Sequence, residues 1–185
     1  MGLTQQVPPK AVWEALLEWD PSLKDAIRNP VYMLPVFRAG LTSFARGIGI
    51  QDAAFVGWQV LMSASSGQAF CASILTSGSG SAAQVTGMSS GVALTAVVEA
   101  ALRLKTTLAI PGDYEWLILS APGLLTQAWW FKSQHTDKSD LVQPVLTALA
   151  ELDSNRIYPA TEFLSIGRSL ATARLTFGEF RSDSA

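Results

Sequence analysis

The stretch Tyr114 to Lys132, YEWLILSAPGLLTQAWWFK, holds three of the six tryptophans and reads as two strands about a Pro122-Gly123 turn. Period-two geometry puts Tyr114, Trp116 and Ile118 on one face of the first strand, Tyr114 to Ala121. Leu117 and Leu119 fall on the other. Both faces are apolar apart from Glu115, so this strand is expected at the centre of a sheet covered on both sides. The second strand, Leu124 to Lys132, alternates Leu125, Gln127, Trp129 and Phe131 against Thr126, Ala128, Trp130 and Lys132. Trp129 and Trp130 therefore face opposite sides, and one of them is expected to be better buried. Pro122 favours a φ of about −65° and Gly123 tolerates a positive φ, which is type II turn chemistry. That turn matches the twist of a tight two-residue hairpin poorly, so a slightly longer connection fits as well.

Composition bounds what such a sheet can belong to. The chain has 185 residues, 49% of them apolar and only 15% charged. An average domain is about 25% charged. A single domain, 1–185, is expected, long enough to bury a real core. The formal charge is −2 and there is no basic run, which disfavours nucleic acid as a partner. One cysteine, Cys71, and one histidine, His135, leave no internal disulfide and no cysteine/histidine zinc set, so no metal and no cofactor are expected. Cys71, within AFCASIL, reads as a small buried hydrophobe. MGLTQQVPPK lacks the apolar run of a signal peptide, and Gln6 stands where a myristoylation signal needs Ser or Thr. Glu99, Arg103 and Lys105 interrupt the longest apolar stretch, so no transmembrane segment is expected, and the cytoplasm is the default location.

Residues 8–50 read as a helical N-terminal layer. Pro8 and Pro9 suit a first helical turn, and Val12, Trp13, Leu16 and Leu17 form an apolar stripe. Asp20-Pro21 and Asn29-Pro30 each look like a cap followed by a first-turn proline. Phe37, Leu41, Phe44 and Ile48 then recur at helical spacing, with Gly47 and Gly49 to end the run. From Ala53 the period becomes two. AAFVGWQVLMS and Ala69 to Thr76 read as an antiparallel hairpin about Ser65 to Gln68. Gly78 to Ser81 is turn material without the spacing of a phosphate-binding loop. Val92 to Lys105 reads as a helix, as does Leu141 to Leu152 from Pro144 onward. A last helix opens near Tyr158 with Phe163, Ile166, Leu170, Ala173 and Phe177 as its buried stripe. Residues 178–185 read as a flexible tail. No internal sequence repeat is visible.

One stretch resembles catalytic chemistry. Gly87-Met88-Ser89-Ser90-Gly91 matches G-x-S-x-G, in which glycines let a strained strand-to-helix turn expose the serine. Asp113 and His135 follow in the order acid, then base, that would orient and activate Ser89. Against that, Ala82 to Thr86 is weakly apolar for a hydrolase strand, and His135 lies in the polar run SQHTDKSD. In a chain with 14 glycines the pattern also arises cheaply. A serine capping the following helix, with Gly87 in the preceding turn, explains the residues as well. No catalytic residue is assigned on this basis.

The expected fold is α+β, a mostly antiparallel sheet of four to five strands with N-terminal and C-terminal helices packed on it. A three-layer α/β arrangement is the alternative. The expected function is a non-catalytic protein-interaction or assembly protein with an apolar, Trp-rich surface or pocket. The alternatives are a small serine hydrolase using Ser89 and an apolar small-molecule binder. Trp13, Trp19, Trp129 and Trp130 are the ligand or interface candidates. Trp13 and Trp19 lie six residues apart, about 600° around a helix, so one can face the domain while the other meets a partner. Low charge and a mean hydropathy of +0.26 point to a homodimer, or to a complex with another protein.

Overall fold

The structure, a computed structural model, describes residues 3–28, 30–63, 68–76, 82–106 and 113–182. Ser65 to Gly67 of the turn expected at Ser65 to Gln68, the turn expected at Gly78 to Ser81, and the last three residues of the expected tail lie outside these. Helix α1 (Lys10–Trp19) starts after Pro9 and buries Val12, Ala15 and Leu16. It stops at Asp20, whose carboxylate accepts the Ser22 N–H (2.9 Å) and caps a 3-10 turn, Pro21–Leu23. The remaining elements are α2 (Lys24–Arg28), β1 (Tyr32–Arg38), α3 (Leu41–Ala45), β2 (Ala54–Ser63), β3 (Ala69–Thr76), β4 (Ala83–Ser90), α4 (Val92–Thr106), β5 (Tyr114–Ala121), β6 (Thr126–Ser133), β7 (Leu141–Thr147), β8 (Tyr158–Pro159) and α5 (Ala160–Ser182).

Among the described residues the fold is α+β, but its sheet is larger than expected and mixed. Eight strands run in the order β4-β3-β2-β1-β5-β6-β7-β8, in place of four to five mostly antiparallel ones. Three additions account for the difference. The segment expected as part of the N-terminal helical layer contains β1. Val31, Tyr32, Met33 and Leu34 are all buried there, and the Val31 N–H donates to the Leu61 carbonyl (2.8 Å). Branched and aromatic residues suit a strand buried on both faces, and Pro35 forfeits one ladder bond there, whereas inside a helix it would also clash with the preceding turn. Leu141 to Thr147 is β7, not the start of a helix. Its Val142 and Pro144 point inward, and Val145 is bulged out between the pairs Gln127↔Leu146 and Ala128↔Pro144. A proline without an N–H is at home beside a bulge. Tyr158–Pro159 adds the short β8 against Leu141 and Val142.

The chain divides into two compact units, Met1–Val36 with Val56–Trp116 and Phe37–Phe55 with Leu117–Ala185. In the first, α1 and α2 cover one face of β2, β3 and β4, and Val12, Leu16, Ile27, Trp58, Val60 and Ile74 form the core. In the second, α3 and α5 pack together, and Phe44, Leu117, Leu119, Leu124, Trp130 and Phe163 are central to the core. Helix α5 buries Phe163, Leu164, Gly167 and Ala171. The expected stripe holds at Phe163, with Ile166 and Leu170 half-buried, and fails beyond, because Ala173 is exposed and Phe177 is 74% exposed. Gly167 lies in the contact because a Cβ there would meet the Phe44 ring at 2.7 Å. The helix continues through Ser182, into the residues expected as a tail.

The β5–β6 connection also differs from the expected type II turn. Pro122–Leu124 form a 3-10 turn, and the left-handed residue is Leu125 (φ 51°), not Gly123. Gly123 serves a close approach instead: a Cβ on it would lie 2.9 Å from Leu41 Cβ.

Candidate functional site

A concavity of the second unit is built on β6. Alternation along TQAWWFKS places Ala128, Trp130 and Lys132 on one face of that strand. Trp130 is fixed at both ends. Its indole Nε1–H donates to Asp140 Oδ2 (2.8 Å), and its ring meets Phe37 edge-on, with centroids 5.5 Å apart. Phe37 in turn packs against Phe55. Asp140 braces three elements. Its Oδ1 accepts the Ser133 N–H at the end of β6 (2.8 Å), and its backbone carbonyl accepts the Ala160 N–H that opens α5 (2.8 Å). It also immediately precedes β7.

The braced indole forms the wall of a pocket of about 410 Å³. Phe37, Ile50, Ala53 and Ala160 supply the rest of its apolar lining, and Gln51, Lys132, Ser139, Asp140 and Thr161 supply polar groups. The Lys132 ammonium sits 5.7 Å from the centre of the Trp130 ring. An apolar pocket of this size with a few polar groups is the usual form of a small-ligand site.

The tryptophans expected at a ligand site or an interface divide unevenly. Trp129 and Trp130 are both buried, at 1% and 5% exposure, although they face opposite sides of the sheet. Neither is better placed than the other to face a partner, and of the two only Trp130 borders the pocket. Trp13 is half-buried against the first unit's core, whereas Trp19 is 57% exposed at the end of α1.

The residues of the G-x-S-x-G stretch occupy a regular ladder. Strand β4 runs through Ser90, and the strand-to-helix turn is made at Gly91 (φ 132°). Ser89 pairs across β3 with Cys71, and its hydroxyl is directed at the Cys71 carbonyl (3.5 Å). It thus lies two residues before the turn that a nucleophile elbow would need it to occupy. Neither Ser89 nor Ser90 starts the helix, and Gly87 sits in the strand, opposite Ser73 and beside a bulge. Asp113 adjoins β5 in the first unit. His135 is in the exposed β6–β7 connection of the second, where its carbonyl accepts the Ser133 hydroxyl (2.8 Å). Cys71 is buried, and burial pushes its thiol up to about 12, far from the range of a nucleophile at neutral pH. Among the described residues no group of three or more His, Cys, Asp or Glu side chains is placed to hold a metal.

Sequence reasoning singled out Trp130 but missed Lys132, Asp140 and Phe37. The alternation that separates Trp129 from Trp130 also pairs Trp130 with Lys132, so that part was within reach. Nothing in SQHTDKSD distinguishes Asp140 from its polar neighbours, and Phe37 was assigned to a helix. Comparison with protein-family models, curated proteins and solved structures finds no significant match, so the chain's own geometry carries the functional interpretation.

Proposed function

We propose that this chain is a non-catalytic binding protein whose second unit holds a small, largely apolar ligand against Trp130. The observation that carries this is the pocket itself: about 410 Å³, walled by Phe37, Ile50, Ala53 and Trp130, with the indole braced by Asp140. Bracing fixes the ring before any ligand arrives, so little ordering cost remains on binding. The placement of Ser89 in a strand ladder favours binding over hydrolysis. Titration with a neutral aromatic probe, 2-naphthalenemethanol, followed by calorimetry, tests the assignment. Saturable one-to-one binding is expected, and it should vanish in Ala53→Trp, which fills the pocket, provided that variant melts as the native protein does. Equal binding by the folded Ala53→Trp variant would contradict it. So would labelling of Ser89 by a fluorophosphonate, which belongs to the hydrolase alternative.

Assembly is the second function that an observation favours. Trp19 continues the Val12–Leu16 stripe past the edge of the first unit's core and stays 57% exposed, with Leu17 exposed beside it. Tryptophan at such a place is a common interface anchor, and the partner we propose is a second copy of the chain.

A further inference from the structure

We infer that the pocket over Trp130 takes organic anions: a small carboxylate on an apolar or aromatic body, the body against Trp130 and Phe37 and the carboxylate at Lys132. This rests on the proposal that the pocket is a ligand site and adds the charge of its occupant. Two charged side chains line the pocket, Lys132 and Asp140. Asp140 already holds the Trp130 Nε1–H on one oxygen and the Ser133 N–H on the other. It acts as a brace whose charge is shared between two donors. Lys132 has no such commitment. Among the described residues no carboxylate pairs with it, and its ammonium rests near the face of the Trp130 ring. A cation held beside an aromatic wall suits an amphiphilic anion, because one ligand can cover the ring and neutralise the charge together.

A weaker influence has the same sign. Ala160 and Thr161, the first two residues of α5, form part of the pocket wall. The N-terminal end of a 23-residue helix carries partial positive charge, which Glu162 in its first turn, itself paired with Arg156, offsets in part.

A matched pair of probes separates the two claims. 2-Naphthoate and 2-naphthalenemethanol share a ring system and differ in charge. Each is titrated calorimetrically into the full chain and into Lys132→Gln and Lys132→Arg. Naphthoate is expected to bind about three- to tenfold more tightly than the alcohol, the range for one partly exposed charged contact. That preference should persist in Lys132→Arg, shrink with added salt and disappear in Lys132→Gln. If the alcohol binds but naphthoate has no advantage, or keeps it in Lys132→Gln, the anion assignment falls while the pocket assignment stands. Tighter binding of 2-naphthylmethylamine than of naphthoate would overturn it in favour of Asp140. Binding of neither aromatic probe would remove the pocket assignment and this one with it.

Discussion

Cys71 shows how one residue's surroundings fix its chemistry. It lies in β3 between Leu61 of β2 and Ser89 of β4, and desolvation raises its thiol from an ordinary value of 9.0 to about 12. A raised acid pKa means that the folded state keeps the proton while the unfolded chain loses it. Stability from this group is therefore intact below pH 9 and is lost as pH rises from there towards 12, by about 1.4 kcal/mol per pH unit. Between pH 8 and pH 10, urea unfolding should thus show a loss about 1.4 kcal/mol larger in the native protein than in Cys71→Ala. Identical pH dependence in the two would place the thiol in a wetter site. Other residues explain what the sequence could reveal. Simple alternation correctly predicted the burial of Trp116, at 0% exposure, because a pleated strand leaves a side chain only two directions. Which residue of the β5–β6 turn takes the positive φ was not legible. Gly123 is needed against Leu41, a neighbour 82 positions away in the sequence (123 − 41), and Leu125 takes the left-handed conformation in its stead.

At the scale of elements, the β2–β3 hairpin is the part most fully legible in advance. Its strands run from Ala54 and Ala69, and its register pairs Trp58 with Ile74 and Val60 with Ala72. Gly57 of β2 lies opposite Leu75 in that ladder. Its φ of 152° suits glycine, and a Cβ there would clash with the Ile74 carbonyl, 3.0 Å from its carbon. Gly57→Ala should therefore cost roughly 3 kcal/mol, combining backbone strain with overpacking. Gly87→Ala on β4, where a Cβ meets nothing within 4 Å, should cost less than about 1 kcal/mol. Similar urea midpoints for the two variants would contradict the β2–β3 register. Elements β1 and β7 were hidden for a common reason. Each contains a proline, and helix-spaced leucines or phenylalanines follow it. Local spacing suggested helices that long-range strand pairing overrides. In α5 the inward face includes Gly167, which an apolar-stripe search cannot find because its role is the absence of a side chain.

For the molecule as a whole, the order of elements repeats although no sequence repeat is visible. β1, the short α3, then β2, β3, β4 and α4 are matched by β5, a 3-10 turn, then β6, β7, β8 and α5. Apolar content was legible as a property of the whole chain, but its destination was not. Most of the tryptophan surface is buried; Trp13 is half-buried and Trp19 is exposed. No helix among the described residues is long and apolar enough to cross a membrane. Light scattering after size exclusion, at micromolar concentration, is expected to give twice the chain mass for the native protein and the single mass for Trp19→Lys. A single-chain mass for the native protein would count against self-association through α1.

The pocket over Trp130 is most directly tested by its own indole proton. In a ¹H–¹⁵N spectrum the Trp130 Nε1–H, held by Asp140, gives one of six indole signals, assignable through Trp130→Phe. On titration with 2-naphthoate that signal should move progressively, together with the amides of Ile50, Ala53 and Thr161. Movement confined to the Trp19 indole and α1, with the Trp130 signal unchanged at saturation, would contradict the assignment of the second unit as the binding site.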